Sequence, residues 1–235
     1  MKESFWQRVP VRSNLFTLVV MVCCIAAGTS SAQTTFVIGT SSWDNQSELY
    51  QFVPTSFVNA RVQFLITASE LTSAGLTPNT VISALQWNVV TDNTPGLVEY
   101  DLYMGHTSTS GFASTTFLSS SGLTNVGFIT YTGTQTGWMT ASFNYQSFTW
   151  NGTDNLLIQT CRSGYNQGAS DRIAVSSVGF SAMISGYNHV CDADAGYYTN
   201  TARPWFRLIG IAPTPTNTPT STNTPTNTPT PTNTP

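Results

Sequence analysis

Charge is scarce in this chain, and lysine almost vanishes from it. Only 8% of the 235 residues are Asp, Glu, Lys or Arg, and the one lysine is Lys2. Histidine occurs twice, at His106 and His189, and cysteine four times. These shortages exclude several functions. Without a basic patch a phosphate backbone finds no counterions to displace, so nucleic acid is not a partner. There is no zinc pattern, no phosphate-cradling glycine loop and no nucleotide fingerprint. A serine hydrolase needs an activated Ser beside a base, and no Gly-x-Ser-x-Gly elbow occurs. Long helical patterns are also missing: Ala68–Ala74 is the only helix candidate, with Gly75 as its stop.

One apolar run is present at the start. Leu15–Gly28 follows Lys2, Arg8 and Arg12 and precedes Ser30-Ser31-Ala32. That is a secretory signal peptide over residues 1–32, cleaved after Ala32, and its apolar run is short of the ~20 residues a membrane helix needs. Removing it leaves ten acids against five arginines, a net charge of −5, and no lysine. Cys23 and Cys24 leave with it. Cys161 and Cys191 remain, an even pair in an exported chain, which reads as a disulfide.

What the chain has instead is short strand patterns between turn clusters. In Leu97–Thr107 the residues Val98, Tyr100, Leu102 and Met104 share one phase, and Glu99, Asp101 and Tyr103 the other. That alternation is a strand with one buried and one wet face, expected to break at Gly105. Further candidates are Thr35–Gly39, Leu49–Val53, Ala60–Thr67, Val81–Val90, Gly127–Thr132, Met139–Asn144, Asn155–Cys161, Ile173–Val178, Met183–Tyr187 and Trp205–Ile211. The inward phases are Val81, Leu85, Trp87 and Val89 in one strand and Met139, Ala141 and Phe143 in another. Thr77-Pro-Asn79, Asp92-Asn-Thr-Pro95 and Asn151-Gly152 are turns with fixed φ at Pro or positive φ at Gly or Asn. About eleven short strands spaced in this way predict an all-β chain: an antiparallel β-sandwich of jelly-roll type, with a barrel as the alternative. The sandwich domain covers residues 33–212. From Pro213 every even position to 234 is Thr, and seven of the twelve prolines lie here. Residues 213–235 are therefore a disordered stalk or linker of extended polyproline geometry, whose threonines suit O-glycans.

The segments Tyr50-Gln-Phe-Val-Pro54, Ile66-Thr-Ala-Ser-Glu-Leu71, Gly105-His-Thr107, Gly137-Trp138, Phe148-Thr-Trp-Asn-Gly-Thr-Asp-Asn-Leu-Leu-Ile158, Thr160-Cys161 and Ala202-Arg-Pro-Trp-Phe-Arg-Leu208 occur in that order. This set, over about residues 36–210, resembles the β-sandwich domain repeated in large secreted surface proteins of Bacteroidetes-like bacteria. The resemblance implies an extracellular, non-catalytic module and brings no catalytic residues with it. The Thr/Pro/Asn tail departs from that family's usual carboxy-terminal sorting domain.

Candidate site residues are few. Exposed aromatic faces stack on sugar rings, and Trp43, Tyr197 and Tyr198 stand in polar, turn-like contexts, whereas the other tryptophans, Trp87 above all, are expected in the core. Asp192-Ala-Asp194-Ala-Gly196 begins like a calcium loop, so Ca2+ is the candidate metal, with Asn188 or Asn200 as helpers, although the distal Glu is missing. Glu99 and Asp101 lie on one wet strand face, where a hydrolase would want carboxylates facing across a cleft. His106 ends the buried phase of its strand and is expected to be packed and hydrogen-bonded. The combined expectation is a secreted or cell-surface domain for adhesion or ligand binding, with an extracellular glycan or surface protein as partner. Its rivals are a subunit of an extracellular sheet or filament that self-associates through sheet edges, and a secreted glycan-active hydrolase.

Overall fold

The computed structural model describes residues 32–47, 59–91, 98–131, 136–162, 171–187, 191 and 194–214. The signal peptide apart from Ala32, the Leu49–Val53 strand, the turn at Asp92–Pro95, Asn188, His189, Asp192 and the tail beyond Thr214 lie outside the described residues.

The elements run β1 (Thr34–Ile38), β2 (Ser42–Ser47), β3 (Ala60–Ile66), α1 (Ala68–Ser73), β4 (Val81–Thr91), β5 (Val98–Thr107), β6 (Thr124–Tyr131) and β7 (Gly137–Ser142). They continue with β8 (Phe148–Thr149), β9 (Asn155–Arg162), β10 (Arg172–Ser177), β11 (Met183–Tyr187), β12 (Tyr198–Asn200), β13 (Ala202–Pro204) and β14 (Phe206–Ile211). One sheet has the path β1-β14-β4-β10-β13, with β2 on β10 and β7 and β8 on β4. The other runs β12-β11-β3-β9-β5-β6. Every pairing within these sheets is antiparallel. The chain is an antiparallel β-sandwich with one short helix, as its period-2 patterns require.

The core lies between the inner faces. Val62, Phe64 and Ile66 of β3, Tyr100, Leu102 and Met104 of β5, and Ile158 of β9 meet Leu85, Trp87 and Val89 of β4 and Phe206 and Leu208 of β14. The Phe64 ring meets the Phe206 ring edge-on at 5.5 Å, an aromatic contact that joins the two sheets. Trp150 is fully buried and donates its indole N–H to the Asp154 carbonyl at 2.8 Å.

Two strand readings need correction. In β4 the register against β14 shifts between Ile209 and Gly210, which oppose Ala84 and Ile82. The extra residue, Ser83, reverses the parity, so Ile82 takes the core position assigned to Val81, and Val81 is half-buried. In β5 the strand does not stop at Gly105. It pairs with β9 through Thr107, and Gly105 is needed for close approach: a Cβ there would lie 2.5 Å from Leu123 Cδ2.

Asn79 (φ 66°) and Gly152 (φ 88°) adopt the positive φ expected of their turns. The Asn151 side chain accepts from the Thr153 and Asp154 amides, both at 3.0 Å, which closes an Asx turn around Gly152. A Cβ on Gly152 would lie 2.5 Å from Pro78 Cγ. Gly152→Ala is therefore expected to cost about 1–3 kcal/mol through steric conflict and forced φ, read as a fall in the urea midpoint. A midpoint within error of the parent would show that the turn relaxes freely.

Candidate functional site

Alternation that buries one side of a strand presents the other side. In β14, Phe206 and Leu208 face the core, so Arg207 and Ile209 face out. In β7, Ala141 is buried and Met139 packs on the core, so Trp138, Thr140 and Ser142 face out. The register sets these residues in rows: Val37, Arg207, Gln86 and Thr140 form one, and Thr35, Ile209, Ala84 and Ser142 the next. Gln86 donates to Thr140 Oγ1 at 2.8 Å, and Gln33 to Ser83 Oγ at 3.1 Å. Between these amides and hydroxyls is an open recess of about 600 Å³ whose lining includes Gln33, Thr35, Gln86, Thr140 and Ile209.

Beside the recess stand two tryptophans. Trp138 lies opposite Asn88, two residues along β7 from Thr140. Its ring centroid is 4.7 Å from that of Trp205, at 58°. The Arg207 guanidinium carbon lies 3.6 Å from the centre of the Trp138 ring, a cation–π stack. Both tryptophans are half-buried. Among the described residues Trp205 Nε1 and Arg207 Nε have no hydrogen-bond partner. The result is an aromatic shelf, one guanidinium and a polar recess on a single outer face.

The outer face of the other sheet is covered. Phe112 and Phe117 close over Leu65, Leu157 and Ile184 as a second apolar cluster. Beside it is a buried polar ladder. Arg61 donates from Nε and Nη2 to Gln159 Oε1 at 3.1 and 3.0 Å, and its guanidinium lies 4.5 Å over the Phe117 ring. Gln63 donates to the Leu118 carbonyl and accepts from the Leu118 amide, both at 2.8 Å. These bonds pin the covering segment to the sheet and satisfy side chains that burial would otherwise penalise. A recess of about 270 Å³ lies at its rim, lined by Arg61, Phe117, Leu118, Ser119, Ser120 and Asp194.

The residues singled out from sequence are dispersed. Trp43 falls in β2, in the sheet of β10, and its side chain lies outside the described residues. Tyr197 is 51% exposed beside β12, on the opposite sheet. Tyr198 faces the other way: it pairs with Ser185, which is buried, and its ring packs on the main core. Asp194 is exposed and shares its recess with a guanidinium. Among the described residues no three of His, Cys, Asp and Glu gather as a metal centre would require. Glu99 is exposed on β5, while Asp101, half-buried, accepts from Asn125 at 3.3 Å. His106 is hydrogen-bonded as expected, accepting from the Asn151 amide at 3.1 Å, and its ring lies 4.9 Å from that of Phe148. It is exposed rather than packed in, because its strand ends at the rim of the sheet. Partial desolvation lowers its pKa, opposed by the charge of Asp154.

Sequence reasoning passed over Trp138 and Trp205, which were assigned to the core with the other tryptophans. The signal was available. If Met139, Ala141 and Phe143 face in, Trp138 must face out, and the same parity applied to Trp205–Ile211 turns Trp205 and Arg207 outward.

No family model matches the chain, and no curated protein matches it. Among solved structures it is similar to the cysteine protease and lectin-like domains of Cwp84, a surface-layer-associated protein of Clostridium difficile, with 7% identity and a TM-score of 0.39, over 77% of this chain and 36% of that one. The clostridial cysteine protease Cwp84 after propeptide cleavage gives the same identity and TM-score, over 77% of this chain and 40% of that one. The chain thus spans well under half the length of the structures it matches.

Proposed function

We propose that the chain is a non-catalytic extracellular surface domain that binds a saccharide on the outer face of the sheet containing β4, β7 and β14. The observation that carries this reading is the half-buried Trp138–Trp205 shelf beside a recess of amides and hydroxyls. A sugar ring has apolar C–H faces and a polar hydroxyl rim. Tryptophan covers the first, and Gln33, Gln86, Thr35 and Thr140 offer donors and acceptors to the second. The face is open rather than enclosed, which suits a length of polymer. The signal peptide pattern and the Cys161–Cys191 disulfide support an oxidising, extracellular location.

The test is a glycan array probed with the full chain and with Trp138→Ala. At least one glycan class should bind, and the variant should lose about tenfold of the affinity, on the scale of the roughly 1–3 kcal/mol that a nucleobase stacked on an aromatic side chain contributes. No binding anywhere on the array, or full binding by Trp138→Ala, would overturn the reading.

A further inference from the structure

The charge pattern of this face narrows the ligand. β1, β4, β7 and β14 build the surface around the shelf, and Arg207 is the one ionisable residue in all four strands. It sits in the middle of its row, between Val37 and Gln86. Arg203 and Arg61 are engaged inside the fold, Arg203 with Glu70 and Arg61 with Gln159 and Leu118. Arg207 instead lays one flat side on the Trp138 indole. That stack uses the π face of the guanidinium and none of its N–H groups, which lie in the plane of the group. Its Nε is buried without a partner among the described residues, so the donors left to a ligand are those of the two Nη groups. A guanidinium stacked on an indole, with its Nη edge unengaged, is a pre-oriented receptor for a planar carboxylate, which it can grip through two parallel hydrogen bonds.

The charges around it agree. The chain past residue 32 carries a net −5, and yet none of its acids falls in these four strands. An anion approaching these four strands meets one cation and no fixed negative charge, while Asp44 of β2 and Arg172 of β10 belong to the same sheet beyond them. A neutral sugar would leave the fork to water.

Resting on the saccharide-binding reading above, we propose that the ligand is an acidic polysaccharide built of uronic-acid units. A ring stacks on the Trp138–Trp205 shelf, its carboxylate takes the Arg207 fork, and neighbouring hydroxyls meet Gln86, Thr140 and Thr35.

The experiment is calorimetric titration of the full chain with tetragalacturonate and with the same tetramer fully methyl-esterified. The two probes share every ring and differ only in that each carboxylate is capped as a neutral methyl ester. The free acid is expected to bind about tenfold or more tightly than the ester at low salt, as a hydrogen bond to a charged group implies. The advantage should shrink as NaCl rises to about 0.5 M, where screening becomes short-ranged. Arg207→Gln should bind both tetramers equally, and Arg207→Lys should keep part of the preference, since it retains the charge without the fork. An unchanged far-UV spectrum verifies that each variant is folded. Equal binding of acid and ester by the parent chain, or an Arg207→Gln chain that still prefers the acid, would overturn the proposal while leaving the saccharide site standing. Binding of neither tetramer, together with a blank glycan array, would overturn both.

Discussion

Arg203→Met is expected to cost about 3–5 kcal/mol of stability, the usual loss when one member of a buried ion pair is removed. Arg203, in β13, is fully buried, and its guanidinium reaches across to the other sheet. Nη2 lies 2.5 Å from Glu70 Oε1, and Nη1 donates to Glu70 Oε2 at 3.3 Å and to the Leu65 carbonyl of β3 at 2.8 Å. Glu70 has a second duty. Its Oε2 accepts from the Thr67 amide at 2.9 Å while its own amide donates to Thr67 Oγ1 at 3.2 Å, a capping box that starts α1. One side chain therefore links both sheets and the only described helix. Without Arg203 the carboxylate stays partly buried with its counter-charge gone, and Leu65 loses a donor.

The same pair sets an acid limit. Burial by itself raises the Glu70 pKa, but the Arg203 hydrogen bond and charge, with the two bonds from Thr67, outweigh it and hold the carboxyl below its usual 4.5. A folded-state pKa below the unfolded one gives stability that is complete above the unfolded value and is lost as pH falls through the folded value. The parent chain should therefore lose part of its stability below about pH 4.5 through this group. In Arg203→Met only burial and the cap remain, so that component of the acid loss should diminish. Urea midpoints at neutral pH and in acid, for parent and variant, measure both effects. A variant within about 1 kcal/mol of the parent at neutral pH would show the pair to be no better than an exposed one.

Nothing local in the sequence announces this pair. Glu70 is legible as the acid of a helix first turn, and α1 forms where expected, but Arg203 lies 133 residues further on. Period-2 patterning reports which side of a strand is buried, not which sheet lies opposite. The strands found most cleanly, β3 and β9, have uninterrupted alternation or continuous apolar runs. The readings failed where an added residue changes the parity, as at Ser83, or where a glycine continues a strand that composition would end, as at Gly105. β8, β12 and β13 have only two or three residues each and carry too little pattern to be seen. The aromatic shelf is a different case. Trp138 and Trp205 are far apart in the chain, and each looks like a core residue when hydrophobicity alone is weighed. Applying the inferred phases strictly would have turned both outward, but only the β7-β4-β14 register shows that they meet. Tyr198 was misjudged for the converse reason: a polar neighbourhood in sequence does not fix the face of a short edge strand.

Removing the Cys161–Cys191 bond is expected to cost about 3.5 kcal/mol. The two residues are 30 apart with Cα atoms 5.5 Å apart, and the chain-entropy model gives roughly that value for a loop of this length. The loop is not a simple surface excursion. Cys161 is buried near the end of β9, in register with Arg61 and Asp101, and the chain then supplies β10 to one sheet and β11 to the other before it returns at Cys191. Closing it in the unfolded chain therefore restricts two strands that must find different partners. Cys161→Ser with Cys191→Ser should lower the thermal midpoint by about 7–14 °C, at about 2–4 °C per kcal/mol for a domain of this size. The β signature should survive at low temperature, because the inter-sheet core of β3, β4, β5, β9 and β14 has no part in the bond. Peptide mapping of the secreted chain without reduction supplies the decisive control. A linked pair of peptides containing Cys161 and Cys191 is expected, and free thiols at both would mean that the staple does not form. If the bond forms but its removal shifts the midpoint by less than about 3 °C, the unfolded chain must already hold β10 and β11 close together, and the entropy ascribed to the loop is not there to be removed.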